Sequence, residues 1–276
     1  MFLGAVAILD ALGFKGIWER EDPRAILDLL KSLKRHGLEL QGSDYSGCLV
    51  DEPGFRHRVR FMSDTIVITV VIKERKSPIR PLYKALYSAT MIAGDIMVSA
   101  LHNLPPLLFR GCVAAGNIIE DSDFLIGPAV DEAAESFEKA DGPFLWLTTS
   151  ALDISHQYAD TFHDRLEPII MIPYRVPMND GKRFNTHAFT YFSIGDDEER
   201  RTWTRSSILQ AFRTSSKPSV VNKKRNTAAF LNKVDAYANS GKWKYYRPTR
   251  MPQWQDLTFS QRVSLINHNI FPKDFH

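Results

Sequence analysis

The sequence predicts an α+β fold whose sheet is built from strands and helices in the order βαββαβ. Apolar runs of strand length occur at residues 3–9 and 65–72, and β-branched residues dominate the second, as in a buried central strand. Polar and apolar residues alternate over residues 55–61, and a tight turn separates them from the second run, which indicates a hairpin. Helical periodicity at residues 23–36 and 81–102 flanks this hairpin on both sides.

The two predicted helices differ in character. The first begins at Asp22 and Pro23, because Asp is a favoured N-cap and Pro is tolerated at the first helical position, and it ends at Gly37. The second is apolar on most sides, so we expect it to be buried. Lys84 and Asp95 interrupt it, which excludes a membrane span.

A strand at residues 107–115 completes the βαββαβ order, which is that of a ferredoxin-like or palm-type sheet. An acidic segment at residues 120–123 follows it. A helix at residues 127–140 and a strand at residues 144–149 come next.

The periodic signal weakens from about residue 160. Helical patterns at residues 198–213 and 224–239 predict a mainly helical C-terminal appendage, and residues 243–247 form an aromatic and basic segment of no assigned role. We therefore divide the chain into a domain at residues 1–160 and an extension at residues 161–276 that completes or flanks it.

Composition favours a soluble, cytoplasmic globular protein without nucleic-acid or membrane partners. The net charge of +3 over 276 residues is small, and basic clusters at residues 223–225 and 242–250 are interpreted as solvated faces, with phosphate or partner contacts as the alternative. Cys48 and Cys112 show no metal-site spacing, which favours a reducing compartment. The apolar residues 1–9 lack a preceding basic region and are interpreted as a strand rather than a signal peptide.

Two aspartates end apolar elements where chemistry is possible. Asp10 follows the first strand, and Asp64 lies in the turn between the second and third strands. In a βαββαβ sheet these positions are side by side, so the two carboxylates can share hard divalent cations. The loop at residues 11–16 contains two glycines, which let backbone amides approach phosphate oxygens. The plainer interpretation is that each aspartate is a turn residue.

Four segments occur in an order that resembles the class III nucleotidyl cyclases. They are Ile-Leu-Asp-Ala-Leu-Gly-Phe at residues 8–14, Arg-Phe-Met-Ser-Asp-Thr-Ile-Val at 60–67, Arg-Gly-Cys-Val-Ala-Ala-Gly at 110–116 and Gly-Pro-Ala-Val-Asp-Glu-Ala-Ala-Glu at 127–135. The resemblance covers residues 3–150. The Gly-Gly-Asp-Glu-Phe block of diguanylate cyclases, which share the palm-like fold, is absent from the sequence.

The resemblance implies a set of site residues. Asp10 and Asp64 match the ligands of two divalent ions, Mn²⁺ or Mg²⁺, and Arg110 matches an arginine that contacts the triphosphate. The matched blocks also imply substrate-binding roles for other residues, namely Gly13, Phe14, Arg60, Phe124 and Asp131. Arg60 falls on the lysine that reads adenine in adenylyl cyclases, Phe124 on the aspartate that completes adenine recognition, and Asp131 on an asparagine.

The departures at Arg60 and Phe124 argue against purine specificity. Arginine offers donors to the carbonyl groups of a pyrimidine, and an aromatic ring fills the space that a smaller base leaves. This combination resembles the pyrimidine cyclases of bacterial Pycsar anti-phage systems, which make cyclic UMP or cyclic CMP as an alarm signal. The resemblance therefore implies a uridylate cyclase, with UTP favoured and CTP possible, that signals to a separate cyclic-nucleotide-sensing effector protein. A surface strand arginine is the plainer interpretation of Arg60.

One departure concerns catalysis itself. The family's transition-state arginine falls on Glu135, or on Ser136 if the helix carries an extra residue. Either another arginine performs that role or the chain is a weak enzyme; because the family forms head-to-tail homodimers with sites at the interface, a basic residue of the C-terminal segment is a candidate. The rival hypotheses are a purine cyclase with a rearranged base pocket and a non-catalytic nucleotide-binding module. The presence of both Asp10 and Asp64 disfavours the second.

Overall fold

The computed structural model describes residues 1–19, 21–42, 54–73, 79–101, 103, 105–162, 171–191, 198–212 and 217–239. The strands are β1 (Phe2–Ala11), β2 (Phe55–Met62), β3 (Thr65–Ile72), β4 (Phe109–Glu120), β5 (Leu125–Ile126), β6 (Leu145–Leu147), β7 (Met171–Pro177) and β8 (Arg183–Phe189). The helices are α1 (Pro23–Gly42), α2 (Ile79–Leu101), α3 (Pro128–Ser136), α4 (Thr149–Phe162), α5 (Glu198–Ala211) and α6 (Pro218–Asn239).

The sheet has the strand order β2-β3-β1-β4-β6-β8-β7, and β5 pairs with β4 outside this path. The pairs β2–β3, β3–β1 and β1–β4 are antiparallel, whereas β4 and β6 are parallel. The chain thus runs β1-α1-β2-β3-α2-β4 through the four strands at one side of the sheet. The predicted α+β class and the βαββαβ order are confirmed.

Helices α1 and α2 lie on one face of this four-stranded part. On that face, Gly37 of α1 contacts Phe61, and Ser88 of α2 lies 3.4 Å from His57. Both partners belong to one side of β2, because alternate residues of a strand point to opposite faces. Helix α2 is buried nearly all round, as expected, and none of the helices in the described ranges is long and apolar enough to cross a membrane.

Helix α3 and the end of β4 cover the other face. The thiol of Cys112 on β4 donates to the carbonyl of Ala133 on α3 at 3.4 Å. Cys112 belongs to the same side of the sheet as Arg60, since the two residues are aligned through Ile8 and Val67 of the intervening strands. Asp10 and Arg110 also point to this face.

The C-terminal part contributes both helices and strands. Helices α5 and α6 agree with the helical appendage predicted there. Strands β7 and β8 and helix α4 are additions that sequence analysis did not predict, and β8 joins the sheet by pairing with β6. The domain division at residue 160 stays a prediction. Cys48, the basic cluster at 242–250 and the aromatic segment at 243–247 lie outside the described residues.

Candidate active site

Asp10 and Asp64 lie at the same end of the sheet. Asp10 is opposite Thr65 of β3 on one side and Arg110 of β4 on the other. Asp64 precedes Thr65 in the β2–β3 turn, which reverses through Ser63 with φ 57°. The amide of Ala11 donates to the carbonyl of Asp64 at 3.1 Å and ties the turn to the end of β1.

The guanidinium of Arg110 binds Asp10 directly. Its Nε and Nη2 donate to Oδ2 of Asp10 at 3.1 and 3.0 Å, and Nη1 donates to the carbonyl of Glu138 at 2.8 Å. The side chains of Arg110 and Asp10 are only 14% and 15% exposed. The arginine for which a triphosphate contact was predicted is therefore held between β1 and the segment after α3.

The electrostatic environment of Asp10 favours a positive charge. Burial raises the pKa of Asp10 and the ion pair with Arg110 opposes this, but the negative charges of Asp64 and Glu138 add to the increase. The carboxylate of Asp64 is thus close enough to act on Asp10. A cation placed near these groups would offset the repulsion between their negative charges.

The donor set fits a hard divalent ion that the substrate helps to coordinate. Within the described ranges, no group of three or more His, Cys, Asp or Glu side chains is arranged as a metal site. Asp10 and Asp64 supply two carboxylates, and Mg²⁺ in phosphoryl-transfer sites is held by one or two carboxylates together with substrate phosphates and water. Two carboxylates at adjoining strand ends thus fit a hard divalent ion whose remaining ligands are not protein side chains.

The loop after β1 offers backbone rather than side chains. Gly13 adopts φ 74°, a left-handed conformation that glycine adopts without steric cost. Phe14 is buried in the core and its ring meets Trp18 edge-on, with centroids 5.5 Å apart. The amides of Ala11 and Leu12 already bind the carbonyls of Asp64 and Leu108.

A second cluster forms around Glu120, at the end of β4. Its side chain is fully buried and accepts hydrogen bonds from Arg60 Nη1 at 2.7 Å, Arg56 Nη2 at 2.9 Å and Thr69 Oγ1 at 2.6 Å. Burial alone would raise the pKa of Glu120, but the bonds from Thr69 and Arg60 outweigh it and hold the pKa below its ordinary value. Glu120 is therefore ionised at neutral pH.

Asp121 links Arg60 to Phe124. Its carbonyl accepts bonds from Arg58 Nη1 at 2.6 Å and Arg60 Nη2 at 3.1 Å. Its carboxylate accepts the amides of Asp123 at 2.8 Å and Phe124 at 2.6 Å, which closes the turn before β5. Phe124 is 68% exposed at this turn, whereas the Arg60 side chain is 24% exposed. We call Arg60, Glu120, Asp121 and Phe124 the β4-end cluster.

Asp131 and Glu135 lie on the exposed side of α3. Glu135 lines a cleft of about 680 Å³ between the end of α3 and the β7–β8 hairpin, together with Lys139, Lys182 and Arg183. Lys182 and Arg183 were not among the predicted site residues, because the β7–β8 hairpin was not predicted. The turn Asn-Asp-Gly at residues 179–181 was the available signal, since Asp-Gly between two short strands is typical of a hairpin.

Comparisons with known proteins find similarity in structure but not in sequence. No protein-family model matches the chain, and no curated protein sequence matches it. The catalytic core of a rhodopsin-guanylyl cyclase with converted specificity, in complex with ATPαS, is similar with a TM-score of 0.47 at 13% identity, over 68% of this chain and 94% of that one. A bacterial light-regulated adenylyl cyclase has a TM-score of 0.41 at 13% identity, over 76% and 98% of the two chains.

A third similar structure is an adenylate/guanylate cyclase/hydrolase from Silicibacter pomeroyi, with a TM-score of 0.36 at 14% identity over 68% of this chain and 95% of that one. All three solved structures carry adenylyl or guanylyl cyclase names.

Proposed function

We propose that this chain is a nucleotidyl cyclase that converts UTP, or CTP, to the 3′,5′-cyclic monophosphate and pyrophosphate. It acts as a homodimer with two divalent ions in each site, and its product signals to a separate effector protein. The observation that carries the proposal is the pair Asp10 and Asp64 at adjoining strand ends, with Arg110 bound to one of them. This arrangement offers hard anionic ligands and a fixed cation at one point, as a triphosphate requires.

Asp10, Asp64 and Arg110 have separate roles in an in-line displacement. The ribose 3′-oxygen attacks the α-phosphorus, the bond to pyrophosphate breaks, and the 3′-hydroxyl proton is released to solvent. Asp10 and Asp64 would hold Mn²⁺ or Mg²⁺, which would lower the pKa of that hydroxyl and neutralise charge on the phosphates. Arg110 uses three N–H groups on Asp10 and Glu138, so two further donors of its guanidinium can meet the triphosphate.

Base recognition is assigned to the β4-end cluster. The two bonds of Arg60 to Glu120 and Asp121 occupy two of its five N–H groups, and the side chain keeps an exposed portion for a pyrimidine carbonyl. The exposed ring of Phe124 provides an apolar surface on which a base can lie. Glu120 is fully buried, so it does not itself meet the base.

A second copy of the chain completes the proposed site. Asp10 lies beside Arg110 at the start of β4, whereas the guanidinium of Arg60 is bonded to Glu120 at the other end of that strand. The β4–β5 hairpin exposes three apolar side chains, Ile119, Phe124 and Ile126, which suit a protein contact. A head-to-tail dimer places the aspartates of one protomer opposite the β4-end cluster of the other. Lys182 and Arg183 belong to the C-terminal extension and line the same cleft as Glu135, so they are the proposed source of transition-state charge.

The direct test is incubation of the purified protein with ATP, GTP, CTP and UTP and Mn²⁺, followed by chromatographic separation of the products. We expect cyclic UMP or cyclic CMP with one pyrophosphate per turnover, and none from an Asp10→Asn control. Cyclic AMP or cyclic GMP as the main product would instead identify a purine cyclase. Nucleotide binding without any product would identify a binding module, the alternative that Glu135 on α3 favours.

A further inference from the structure

Glu120 is the most completely enclosed charged group of the β4-end cluster. Its carboxylate has no exposed surface and meets two guanidinium groups and one hydroxyl at 2.6 to 2.9 Å. Removing an ionised carboxylate from water costs several kcal/mol unless charge and hydrogen bonds compensate it, and here both do. Well-packed apolar residues often stabilise a protein as much as such an ion pair does, so stability alone does not explain the arrangement.

The arrangement restricts one side chain in particular. A free arginine samples many rotamers, and ordering it costs conformational entropy. Oε1 of Glu120 accepts both Arg60 and Thr69, and Thr69 is a buried residue of the central strand β3. Through Glu120, the guanidinium of Arg60 is therefore anchored to strand β3 of the sheet.

Asp121, the residue after Glu120, bonds to both Arg60 and Phe124. The carbonyl of Asp121 accepts Arg60, and its carboxylate accepts the amide of Phe124. Consecutive residues thus hold both groups to which base recognition is assigned, so a shift of Glu120 would displace the guanidinium and the aromatic ring together.

We propose that Glu120 is a positioning residue that sets the base preference of the site by holding the Arg60 guanidinium in a fixed place beside Phe124. This inference rests on the proposed function, in which those two residues meet the base. Glu120 does not touch the nucleotide. Its removal therefore weakens recognition of the preferred base and leaves the contacts to the phosphate groups unchanged.

The test measures binding without turnover. The probes are 3′-deoxy-UTP and 3′-deoxy-ATP with Mn²⁺, which lack the attacking hydroxyl, titrated calorimetrically into wild type and Glu120→Gln. We expect the affinity for 3′-deoxy-UTP to fall about tenfold, as for loss of one well-placed charged hydrogen bond, while that for 3′-deoxy-ATP changes less than about twofold. Glu120→Asp, which keeps the charge, should restore part of the preference.

Two further variants separate positioning from folding. Arg56→Gln removes the other arginine from Glu120 and leaves the bonds of Arg60 in place, so the ratio of the two affinities should equal that of wild type. If Glu120→Gln does not fold, Thr69→Val removes a single bond to the same carboxylate oxygen and should lower the ratio about threefold.

The outcomes distinguish this inference from the proposed function. An unchanged affinity ratio in folded Glu120→Gln, or in Thr69→Val, overturns the positioning role even if the protein cyclises UTP. A shifted ratio in a protein that makes no cyclic product supports the positioning role and overturns the cyclase assignment. A wild-type chain that binds neither probe overturns both.

Discussion

The carboxylate of Asp10 serves two partners in the proposed reaction. Arg110 already donates two hydrogen bonds to Oδ2, and the reaction requires the same carboxylate to help hold a divalent ion. Its second oxygen, Oδ1, receives none of these bonds from Arg110. The ion pair therefore orients the ligand and at the same time supplies a charge beside the phosphates.

Asp10→Asn and Asp64→Asn should each abolish cyclisation, because each removes an anionic ligand from a pair that has only two carboxylates. The fold should persist, because asparagine keeps the size of aspartate and, at position 10, an oxygen that can accept from Arg110. Product formation at saturating Mn²⁺, with circular dichroism for folding, checks this.

Glu138→Gln is the matched control for the aspartates. Arg110 bonds the main-chain carbonyl of Glu138, and the carboxylate lies 3.9 Å away and is 63% exposed, so this change should leave most activity. Near-wild-type turnover in either aspartate variant would exclude the two-metal assignment.

Arg60→Ala should lower kcat/KM for the preferred pyrimidine triphosphate by about one to two orders of magnitude, the effect of one lost charge-assisted hydrogen bond. Arg60→Lys should restore it only in part, because an ammonium group lacks the planar fork of donors. Steady-state kinetics with all four triphosphates measure the effect.

Arg58 is the alternative base reader, since it lies on the same face of β2 and also donates to the carbonyl of Asp121. If Arg58→Ala rather than Arg60→Ala lowers kcat/KM for pyrimidines, the role passes to Arg58. Metal dependence should be unchanged in both variants.

Helix α3 is preceded by a glycine, Gly127, at a position where a side chain would clash. Gly127 has φ 129°, and a Cβ there would lie 2.7 Å from the carbonyl oxygen of Asn117 on β4. The amides of Val130 and Asp131 both bond the Gly127 carbonyl, so the start of α3 depends on this residue. The Gly-Pro that opens the fourth matched segment thus has a steric reason.

Gly127→Ala should lower the free energy of unfolding by about 2–3 kcal/mol through backbone strain and the contact with Asn117. Gly181→Ala is the matched control, because Gly181 has φ 81° but nothing within 4 Å of its Cβ position. It should cost about 1 kcal/mol, from strain alone. Urea denaturation of the three proteins measures the difference, and equal losses would show that the close approach to β4 does not matter.

Helices α1 and α2 are joined by an ion pair that responds to pH. His36 Nε2 lies 3.2 Å from Oδ2 of Asp95, the acidic residue within the otherwise apolar α2. Burial lowers the pKa of His36, but the hydrogen bond and charge of Asp95 outweigh it and raise the pKa above its ordinary 6.5. The folded state therefore binds this proton more tightly than the unfolded chain does.

Because the pKa is raised, the stabilisation is complete below pH 6.5 and is lost as pH rises through the higher folded-state pKa. His36→Gln should remove about 1 kcal/mol of pH-dependent stability from this window. His57→Gln is the control of opposite sign, since burial lowers the pKa of His57 and its stabilisation therefore grows as pH rises towards 6.5. Parallel stability curves for wild type and His36→Gln above pH 6 would contradict this.

The whole molecule is proposed to work only as a pair of chains. If each site takes its aspartates from one protomer and its base reader from the other, then Asp64→Asn and Arg60→Ala are defective in different halves of the site. Random exchange between the two defective dimers makes half of the dimers mixed, each with one intact site, so activity should return to about a quarter of wild type. Activity assays after mixing, with sedimentation to verify the dimer, measure this.

Mixing Asp64→Asn with Asp10→Asn is the control, because both changes affect the same half of the site and no intact site can form. Recovery in that mixture, or full activity in a sedimenting monomer, would contradict a shared site.

Local patterns in the chain determined the architecture of the βαββαβ part. Strands β1 and β3 come from continuous apolar runs, and helices α1 and α2 from apolar periodicity. Both patterns reflect which side chains are buried, and both can be recognised from residues close together in the sequence. The adjoining placement of Asp10 and Asp64 followed, because topology brings the end of β1 to the β2–β3 turn. Strand β7 was missed because Pro173 and Pro177 interrupt its pattern, and its hairpin partner β8 was missed with it.

Only the tertiary structure decided the partners of the charged residues. Arg110 is separated from Asp10 by 100 positions, and Arg60 from Glu120 by 60, so no periodicity links either pair. In the sequence, residues 120–123 form only an acidic segment, whereas in the structure Glu120 is buried on the sheet and Asp121 closes a turn. Charge and hydrogen bonding depend on distance in space and on exclusion of water, and both arise only when separate strands pack together.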